Sequence, residues 1–215
     1  MDEETPPCCF DDWAVDAARR ARDRETVAPI TTRLLRALGE VGLESRTVLD
    51  VGCGAGDLAL ATLAHGATEV AGIDLGPGAI RAARALADGR GLADRATFTV
   101  GDGSTAPLHH ADVVVLNRVV CCYPNVDRLL ENTLSATGRV YALTAPIDRG
   151  VVGLLLRVAA WFANLWYAAR RKRYRGYRTY VHDVAAIDAR VRAEGFEPVV
   201  RERSRVVWDM AVYAR

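Results

Sequence analysis

Apolar and polar residues alternate along the middle of the chain in short blocks that predict strands followed by helices. Continuously apolar runs such as 113–116 are typical of strands buried on both faces of a parallel sheet. The predicted order is strand 47–51, helix 57–65, strand 69–73, helix 78–87, strands 96–100 and 112–116, helix 127–136 and strand 138–143. This alternation predicts an α/β fold, a Rossmann-like doubly wound sheet with helices on both faces.

The two ends of the chain follow other patterns. Residues 11–42 predict two helices, 11 to about 24 and a second from Pro29 to about Gly42. After Pro146 come an apolar, aromatic helix 151–169, a basic run, helix 182–194 and strands 197–203 and 205–214, which complete a seven-stranded sheet as an antiparallel edge pair. We expect one domain with an N-terminal arm or cap (1–42), a core (43–146), a helical lid insertion (147–181) and a C-terminal part (182–215).

Composition narrows the class of protein. The 215 residues carry a formal net charge of +1, which argues against a general nucleic-acid binder. Four of the five cysteines stand in adjacent pairs, which does not indicate a disulfide framework, and the acidic N-terminus lacks the features of a signal peptide. A cytoplasmic location is therefore expected. Helix 151–169 contains Arg157, Asn164 and Gly153, so it is not expected to span a membrane; membrane contact would be peripheral at most, and the protein a monomer or homodimer.

A glycine-rich turn joins the predicted first strand to the first helix, in the sequence Val48-Leu49-Asp50-Val51-Gly52-Cys53-Gly54-Ala55-Gly56. Open parallel sheets bind ligands at the carboxyl ends of their strands, and glycines let the backbone approach a ligand closely. The dinucleotide pattern would need a third glycine at 57, where Asp57 stands. No Gly-Lys-Ser/Thr follows the turn, so a phosphate-cradling P-loop is excluded as well.

The pattern Asp50-x-Gly52-x-Gly54-x-Gly56 resembles motif I of the class I S-adenosylmethionine (SAM) dependent methyltransferases, and the resemblance spans about 47–143. It implies SAM as the cofactor, with Asp74 at the ribose hydroxyls, Asp102 at the adenine amino group and Asp50 near the positive methionine end. The implied cofactor-binding residues are Asp50, Gly52, Cys53, Gly54, Gly56, Asp74, Leu75, Asp102, Gly103 and Asn117. An unrelated doubly wound fold is the alternative.

The segment 116–125 follows the fourth strand, where that family places the transferable methyl group. With Arg178-Thr179-Tyr180 and Val207-Trp208 it resembles bacterial methyltransferases related to magnesium-protoporphyrin O-methyltransferase. That subgroup has a histidine before its Tyr-Pro pair, whereas this chain has Cys122, so a porphyrin acceptor is not implied. The expected substrate-binding residues are Phe10, Trp13, Cys122, Trp161, Tyr177 and Arg178.

Candidate catalytic residues are Tyr123, His110 and Arg118. Tyr123 either orients or deprotonates an acceptor or caps its loop through its hydroxyl, and His110 is either a base or an exposed loop residue. An acceptor carboxylate needs no base, because it is already ionised. The cysteine pairs lack the spacing of zinc ligands, so no metal site is predicted.

These residues predict O-methylation of an apolar, possibly carboxylate-bearing small molecule, with no nucleic-acid partner. We expect helix 151–169 to form a lid over the substrate, with a dimer interface or peripheral membrane contact as alternatives. Two other functions stay open: a SAM-binding protein of this fold that catalyses a rearrangement or serves as a scaffold, and a membrane-associated interaction protein.

Overall fold

Seven strands form one mixed sheet in the computed structural model, which describes residues 28–170, 177–203 and 207–215. The order across the sheet is β3-β2-β1-β4-β5-β7-β6. The first five in the chain run parallel, namely β1 (Thr47–Val51), β2 (Glu69–Asp74), β3 (Ala96–Val100), β4 (Ala111–Leu116) and β5 (Thr137–Pro146). β7 (Trp208–Ala214) lies antiparallel between β5 and the edge strand β6 (Glu197–Arg203). The expected seven-stranded α/β sheet is confirmed.

Six helices and two single 3₁₀ turns connect these strands in the described part of the chain. The helices are α1 (Pro29–Val41), α2 (Asp57–Ala64), α3 (Pro77–Gly89), α4 (Val126–Ser135), α5 (Gly150–Ala169) and α6 (Val184–Ala193), and the 3₁₀ turns are Ala93–Arg95 and Val120–Cys122. The predicted helix 11–24, with Phe10 and Trp13, lies outside the described residues.

Two separate hydrophobic cores cover the two faces of the sheet. Leu34 of α1, Leu60 of α2 and Ile80 of α3 belong to the core on one face. Leu130 of α4 and Val191 of α6 belong to the core on the other. β4, in the centre, contributes alternate residues to the two cores, because successive side chains of a strand point to opposite faces. The sheet is therefore doubly wound, and its strand order reverses between β1 and β4, where such folds place their ligands.

Several element boundaries differ from the sequence prediction by one to three residues, and two of these differences have identifiable reasons. β5 continues past 143 to Pro146, because β7 pairs with it as far as the Pro146–Trp208 position. α6 begins at Val184 instead of 182, because the Asp183 carboxylate caps the helix by accepting hydrogen bonds from the N–H groups of Ala185 and Ala186.

Gly72 in β2 tests the packing beneath the glycine turn. A Cβ added there would lie 2.5 Å from Phe98 Cδ1 and 2.8 Å from Cys53 Sγ. We expect Gly72→Ala to lower the free energy of unfolding by ~1–3 kcal/mol, as overpacking does. The matched control is Gly89→Ala at the end of α3, where an added Cβ meets nothing within 4 Å. Urea unfolding of both variants checks this, and equal stabilities would contradict it.

Candidate active site

The glycine turn after β1 depends on backbone conformations that side chains disfavour. Gly52 and Gly54 have φ angles of +73° and +56°. At Gly52 a Cβ would also lie 2.4 Å from a methyl of Val119, so that position has no room. At Gly54 a Cβ would meet no protein atom within 4 Å, so the turn borders open space there. The turn thus presents bare backbone to that space at the end of β1.

The Asp74 carboxylate joins two turns at the end of β2. Its Oδ2 accepts a hydrogen bond from Gly54 N at 2.9 Å, and its Oδ1 accepts one from Gly76 N at 2.8 Å. Because a carboxylate has about four acceptor directions, these bonds leave capacity for ligand hydroxyls. Asp74 therefore positions the glycine turn and also lies where the resemblance implies ribose.

Asp50 is a buried carboxylic acid one strand away from Asp74. Its side chain is 2% exposed, and its Oδ1 has no hydrogen-bond partner. Burial and, second, the charge of Asp74 raise the pKa of Asp50 to about 7, against the opposing effect of a hydrogen bond from the Ala59 N–H. Such an oxygen is suited to a cationic or hydrogen-bonding group of a ligand.

Asp102, after β3, is held by its own turn and by Tyr123. Its Oδ1 accepts hydrogen bonds from both N and Oγ of Ser104 at 2.8 Å. Burial and then the neighbouring Asp102 carboxylate, to which the phenol is hydrogen-bonded, raise the pKa of Tyr123 above its usual range. Tyr123 is therefore protonated at neutral pH and ties its loop to Asp102, which favours the capping interpretation over a base.

A chain of hydrogen bonds fixes the end of β4. Asn117 Nδ2 donates to Thr31 Oγ1 at 2.9 Å, and Thr144 Oγ1 donates to Asn117 Oδ1 at 3.3 Å. Arg118 has a φ of +63° and donates its N–H to Thr144 Oγ1 at 2.7 Å. A non-glycine residue with positive φ is uncommon and often occurs at functional sites. The network therefore holds the chain in the sharp turn that leads into the following loop.

The segment 177–183, which we call the return segment, packs along the loop 117–125, the β4–α4 loop. Tyr180 N donates to Cys121 O at 2.8 Å, and His182 Nε2 donates to Tyr123 O at 2.9 Å. Tyr177 Oη lies 3.8 Å from Cys122 Sγ. These contacts bring the predicted substrate residues Cys122 and Tyr177 together beside Tyr123.

The Cys122 thiol lies in an unusual setting. Its sulfur is 3.7 Å from that of Cys121 and near Tyr177. The hydrogen bond from Cys121 lowers the pKa of Cys122, with help from Tyr177 and Arg118, although burial acts in the opposite direction. The same hydrogen bond and burial raise the pKa of Cys121, and burial raises that of Cys53. Cys122 is thus the most acidic of these three thiols.

Several predicted site residues do not lie at the carboxyl ends of the strands, where the glycine turn and the β4–α4 loop meet. His110 is exposed and directly precedes β4, so it lies at the amino-terminal end of that strand. The length of a six-residue strand places it roughly 20 Å from the carboxyl end, where the site lies. This position favours the exposed-loop interpretation of His110 over the base. Trp161 is 62% exposed on the outer side of α5, and Arg178 is also exposed.

The remaining predicted residues adjoin the site. Leu75 follows Asp74 and is 39% exposed. Gly103 has no room for a Cβ, which would lie 2.4 Å from a Val51 methyl. Buried Cys53 donates its N–H to Ile73 O at 3.1 Å, as Gly52 does at 2.7 Å, and Gly56 caps α2. Arg118 places its guanidinium 5.6 Å from the Trp208 ring centre.

Sequence reasoning missed Thr31, Thr144 and the side-chain role of His182. The first two are buried hydroxyl residues in α1 and β5, and they contact the site only because the fold brings those elements to the end of β4. Nothing in their local sequence distinguishes them. Among the described residues, no three His, Cys, Asp or Glu side chains come together in a way that would hold a metal ion.

Comparison with known proteins agrees with the resemblance to methyltransferases. Residues 48–139 match the model of the methyltransferase domain family. This match covers less than half of the chain and supports a class I SAM-dependent methyltransferase. The resemblance drawn from the motif I turn is thereby confirmed. Within this domain lie the turn and the ends of β1 to β4.

The similar proteins are sequence relatives that match part of the chain and solved structures that share its fold. The ribosomal protein L11 methyltransferase of Pasteurella multocida is 44% identical over 89 residues, which cover 41% of this chain and only 30% of that protein's length. The magnesium protoporphyrin IX methyltransferase of Synechocystis PCC 6803, solved with bound S-adenosylhomocysteine (SAH), is 19% identical with a TM-score of 0.73 over 96% of both chains. An O-methyltransferase family 2 protein of Planctomyces limnophilus, solved with apigenin, is 17% identical with a TM-score of 0.69, over 96% of this chain and 62% of that one.

The raised pKa of Asp50 predicts a pH-dependent stability difference. The pKa of Asp50 is 3.8 in the unfolded chain and about 7 in the folded one. At pH values between these two, folded Asp50 keeps a proton that the unfolded chain has lost, so Asp50 destabilises the fold increasingly as pH rises. We expect Asp50→Asn to raise the free energy of unfolding by about 2 kcal/mol more at pH 8 than at pH 5. Urea unfolding at both pH values measures this. An effect that does not change with pH would contradict the assignment.

The setting of Cys122 predicts selective alkylation. In a background with Cys8 and Cys9 replaced by serine, iodoacetamide at pH 7.5 is expected to modify Cys122 several-fold faster than Cys53 or Cys121, because the thiolate is the nucleophile. Tyr177→Phe should slow the reaction and shift its pH dependence upward. Tyr167→Phe is the control, since that ring contacts Tyr177 at 4.9 Å and no bond joins it to Cys122. Peptide mass spectrometry follows each site, and equal rates at all three would contradict the prediction.

Proposed function

We propose that the chain is a SAM-dependent methyltransferase that methylates an oxygen of an apolar, carboxylate-bearing small molecule. The observation that carries the proposal is the meeting of the motif I turn, Asp74 and Asp102 at the ends of three adjacent parallel strands. The open space beside Gly54 and the unpaired, buried Oδ1 of Asp50 fit a nucleoside cofactor that carries a positive charge.

Each of these groups has a definite task in the proposed reaction. SAM supplies, when bound, a methyl group on a positively charged sulfur. Asp74 would accept hydrogen bonds from the ribose hydroxyls while its carboxylate holds the glycine turn through the N–H groups of Gly54 and Gly76. Asp102 would accept a hydrogen bond from the adenine amino group, and the Asp50 carboxylate, when ionised, would favour the positively charged end of SAM. Fixed alignment of the reactants contributes on the order of 7–11 kcal/mol to such a transfer.

The acceptor side supports a nucleophile that is already ionised. Tyr123 is protonated and bonded to Asp102, and His182 donates its Nε2–H to the Tyr123 carbonyl. His110 lies at the other edge of the sheet. A carboxylate is ionised at neutral pH without any base, so its methylation to an ester needs only positioning.

Aromatic and basic side chains of the β4–α4 loop and the return segment suit an acceptor of this kind. Tyr123 and Tyr177 supply ring surface, and exposed Arg118 supplies a guanidinium group able to pair with a carboxylate. The likeness to magnesium protoporphyrin IX methyltransferase over 96% of both chains supports a small molecule. Ribosomal protein L11 is a weaker candidate, because the match covers only 30% of its methyltransferase.

We propose a cytoplasmic location on the strength of the thiols. The three cysteines in the described part of the chain, Cys53, Cys121 and Cys122, are free. A reducing compartment keeps thiols in that state.

Calorimetric titration with SAH tests the nucleoside site. We expect binding by the wild type and roughly 10- to 100-fold weaker binding by Asp74→Asn, because a hydrogen bond to a charged group is lost. Gly54→Ala, which leaves Asp74 in place but puts a methyl group into the open space, should weaken binding too. Asp88→Asn on the exposed side of α3 is the matched control. A folded wild type that does not bind SAH contradicts the proposal.

Turnover distinguishes methyl transfer from mere binding. SAM with a labelled methyl group is incubated with aromatic acids and porphyrin carboxylates, with their methyl esters and with ribosomal protein L11. Labelled ester formed from free acids alone supports the proposal. SAH binding without turnover on any acceptor would instead favour the non-methylating alternative, and labelled L11 would favour a protein acceptor.

A further inference from the structure

Helix α5 carries a row of apolar side chains that are largely exposed to solvent. We call it the α5 stripe; its side chains are 43–75% exposed and are Val151, Leu154, Leu155, Val158, Trp161, Phe162, Leu165 and Trp166. At 100° per residue these eight positions span about 140° of the helix surface. The stripe is therefore one continuous apolar face, and α5 is long and apolar enough to qualify as a candidate membrane helix.

The opposite face of α5 is fastened to the protein. Gly153 packs so closely on the preceding turn that a Cβ would lie 2.2 Å from the carbonyl carbon of Asp148. Asn164 exchanges two hydrogen bonds with the backbone of Thr179, at 2.9 and 2.8 Å. The Tyr167 ring contacts that of Tyr177 at 4.9 Å. The helix thus lies against the return segment with its stripe, which includes Trp161, turned away from it.

Charge around α5 is sharply asymmetric in the sequence. Residues 149–182 contain eight Arg or Lys residues and no Asp or Glu. Since the whole chain has a net charge of +1, the remainder carries −7. Arg170 follows the helix, with its guanidinium 4.3 Å from the Trp166 ring centre, and Arg149, which precedes the helix, forms ion pairs with Asp148 and Asp183. The most apolar surface of the described chain therefore belongs to its most basic segment.

We propose that the α5 stripe docks onto an anionic lipid bilayer, with the helix lying in the plane of the interface. Aliphatic and aromatic side chains on one face beside basic residues are the recognition chemistry of interfacial helices. A second copy of the chain is disfavoured as the occupant, because a symmetric contact would bring two segments of charge +8 together. A spanning orientation is disfavoured because Asn164, Tyr167 and Gly153 hold the other face on the protein.

Sedimentation with vesicles tests the proposal on the full chain. We expect at least tenfold stronger partitioning into phosphatidylcholine vesicles containing 30% phosphatidylglycerol than into pure phosphatidylcholine, and a decrease as salt rises. The double substitution Leu154→Glu with Phe162→Glu should reduce partitioning at least tenfold. Val199→Glu on β6 is the matched control, since Val199 is 52% exposed and lies outside α5. Circular dichroism and SAH titration verify that each variant is folded.

Other occupants give different results. No vesicle binding by the folded wild type overturns the proposal. A concentration-dependent dimer in analytical ultracentrifugation that the double substitution abolishes, without vesicle binding, assigns the stripe to a second copy. Quenching of Trp161 and Trp166 fluorescence by lipids brominated near the headgroup supports the interfacial orientation, with a Trp161→Phe, Trp166→Phe variant as reference. Stronger quenching by lipids brominated near the chain ends overturns it.

Discussion

The geometry of the site depends on one carboxylate held between two backbone turns. Asp74 ends β2, and β2 pairs in register with β1, so its side chain reaches the glycine turn of the neighbouring strand. The bond to Gly54 N sets the path of the turn, and the bond to Gly76 N sets the start of α3. A charged acceptor makes such bonds stronger than a neutral one would. The negative charge of Asp74, which holds the two turns, also adds to the effect of burial in raising the pKa of Asp50.

The second half of the site depends on the return of the chain after α5. The β4–α4 loop lacks regular structure apart from the 3₁₀ turn Val120–Cys122, yet three of its residues contact the return segment. These contacts come from 55 or more residues farther along the chain. The acceptor side is therefore assembled by tertiary structure, whereas the cofactor side is built from turns that directly follow their strands.

This division explains how much the sequence revealed. The order of strands and helices was predictable, because buried parallel strands are continuously apolar. Asp50, Asp74 and Asp102 were picked out by the resemblance of the glycine turn to motif I, which places such residues at the carboxyl ends of the strands. Thr31, Thr144 and His182 were not, since their contacts arise from elements far apart in the chain. The choice between the two interpretations of His110 could not be made from sequence, because proximity to β4 does not say at which end of the strand a residue contacts the site. The exposure of Trp161 was not predictable, because apolar composition does not say which side of a helix faces the protein.

Gly153 is the one buried residue of α5, so this helix buries little apolar surface against the rest of the protein. Helices that bury little apolar surface open locally at a lower free energy than the strands of a core. We therefore expect α5 to open locally at a lower free energy than the sheet, so that its amide hydrogens exchange before those of β1 and β4. When it detaches, Asn164 releases Thr179 while the doubly wound sheet stays intact. The local stability of one helix thus limits how often the return segment is free to leave the β4–α4 loop.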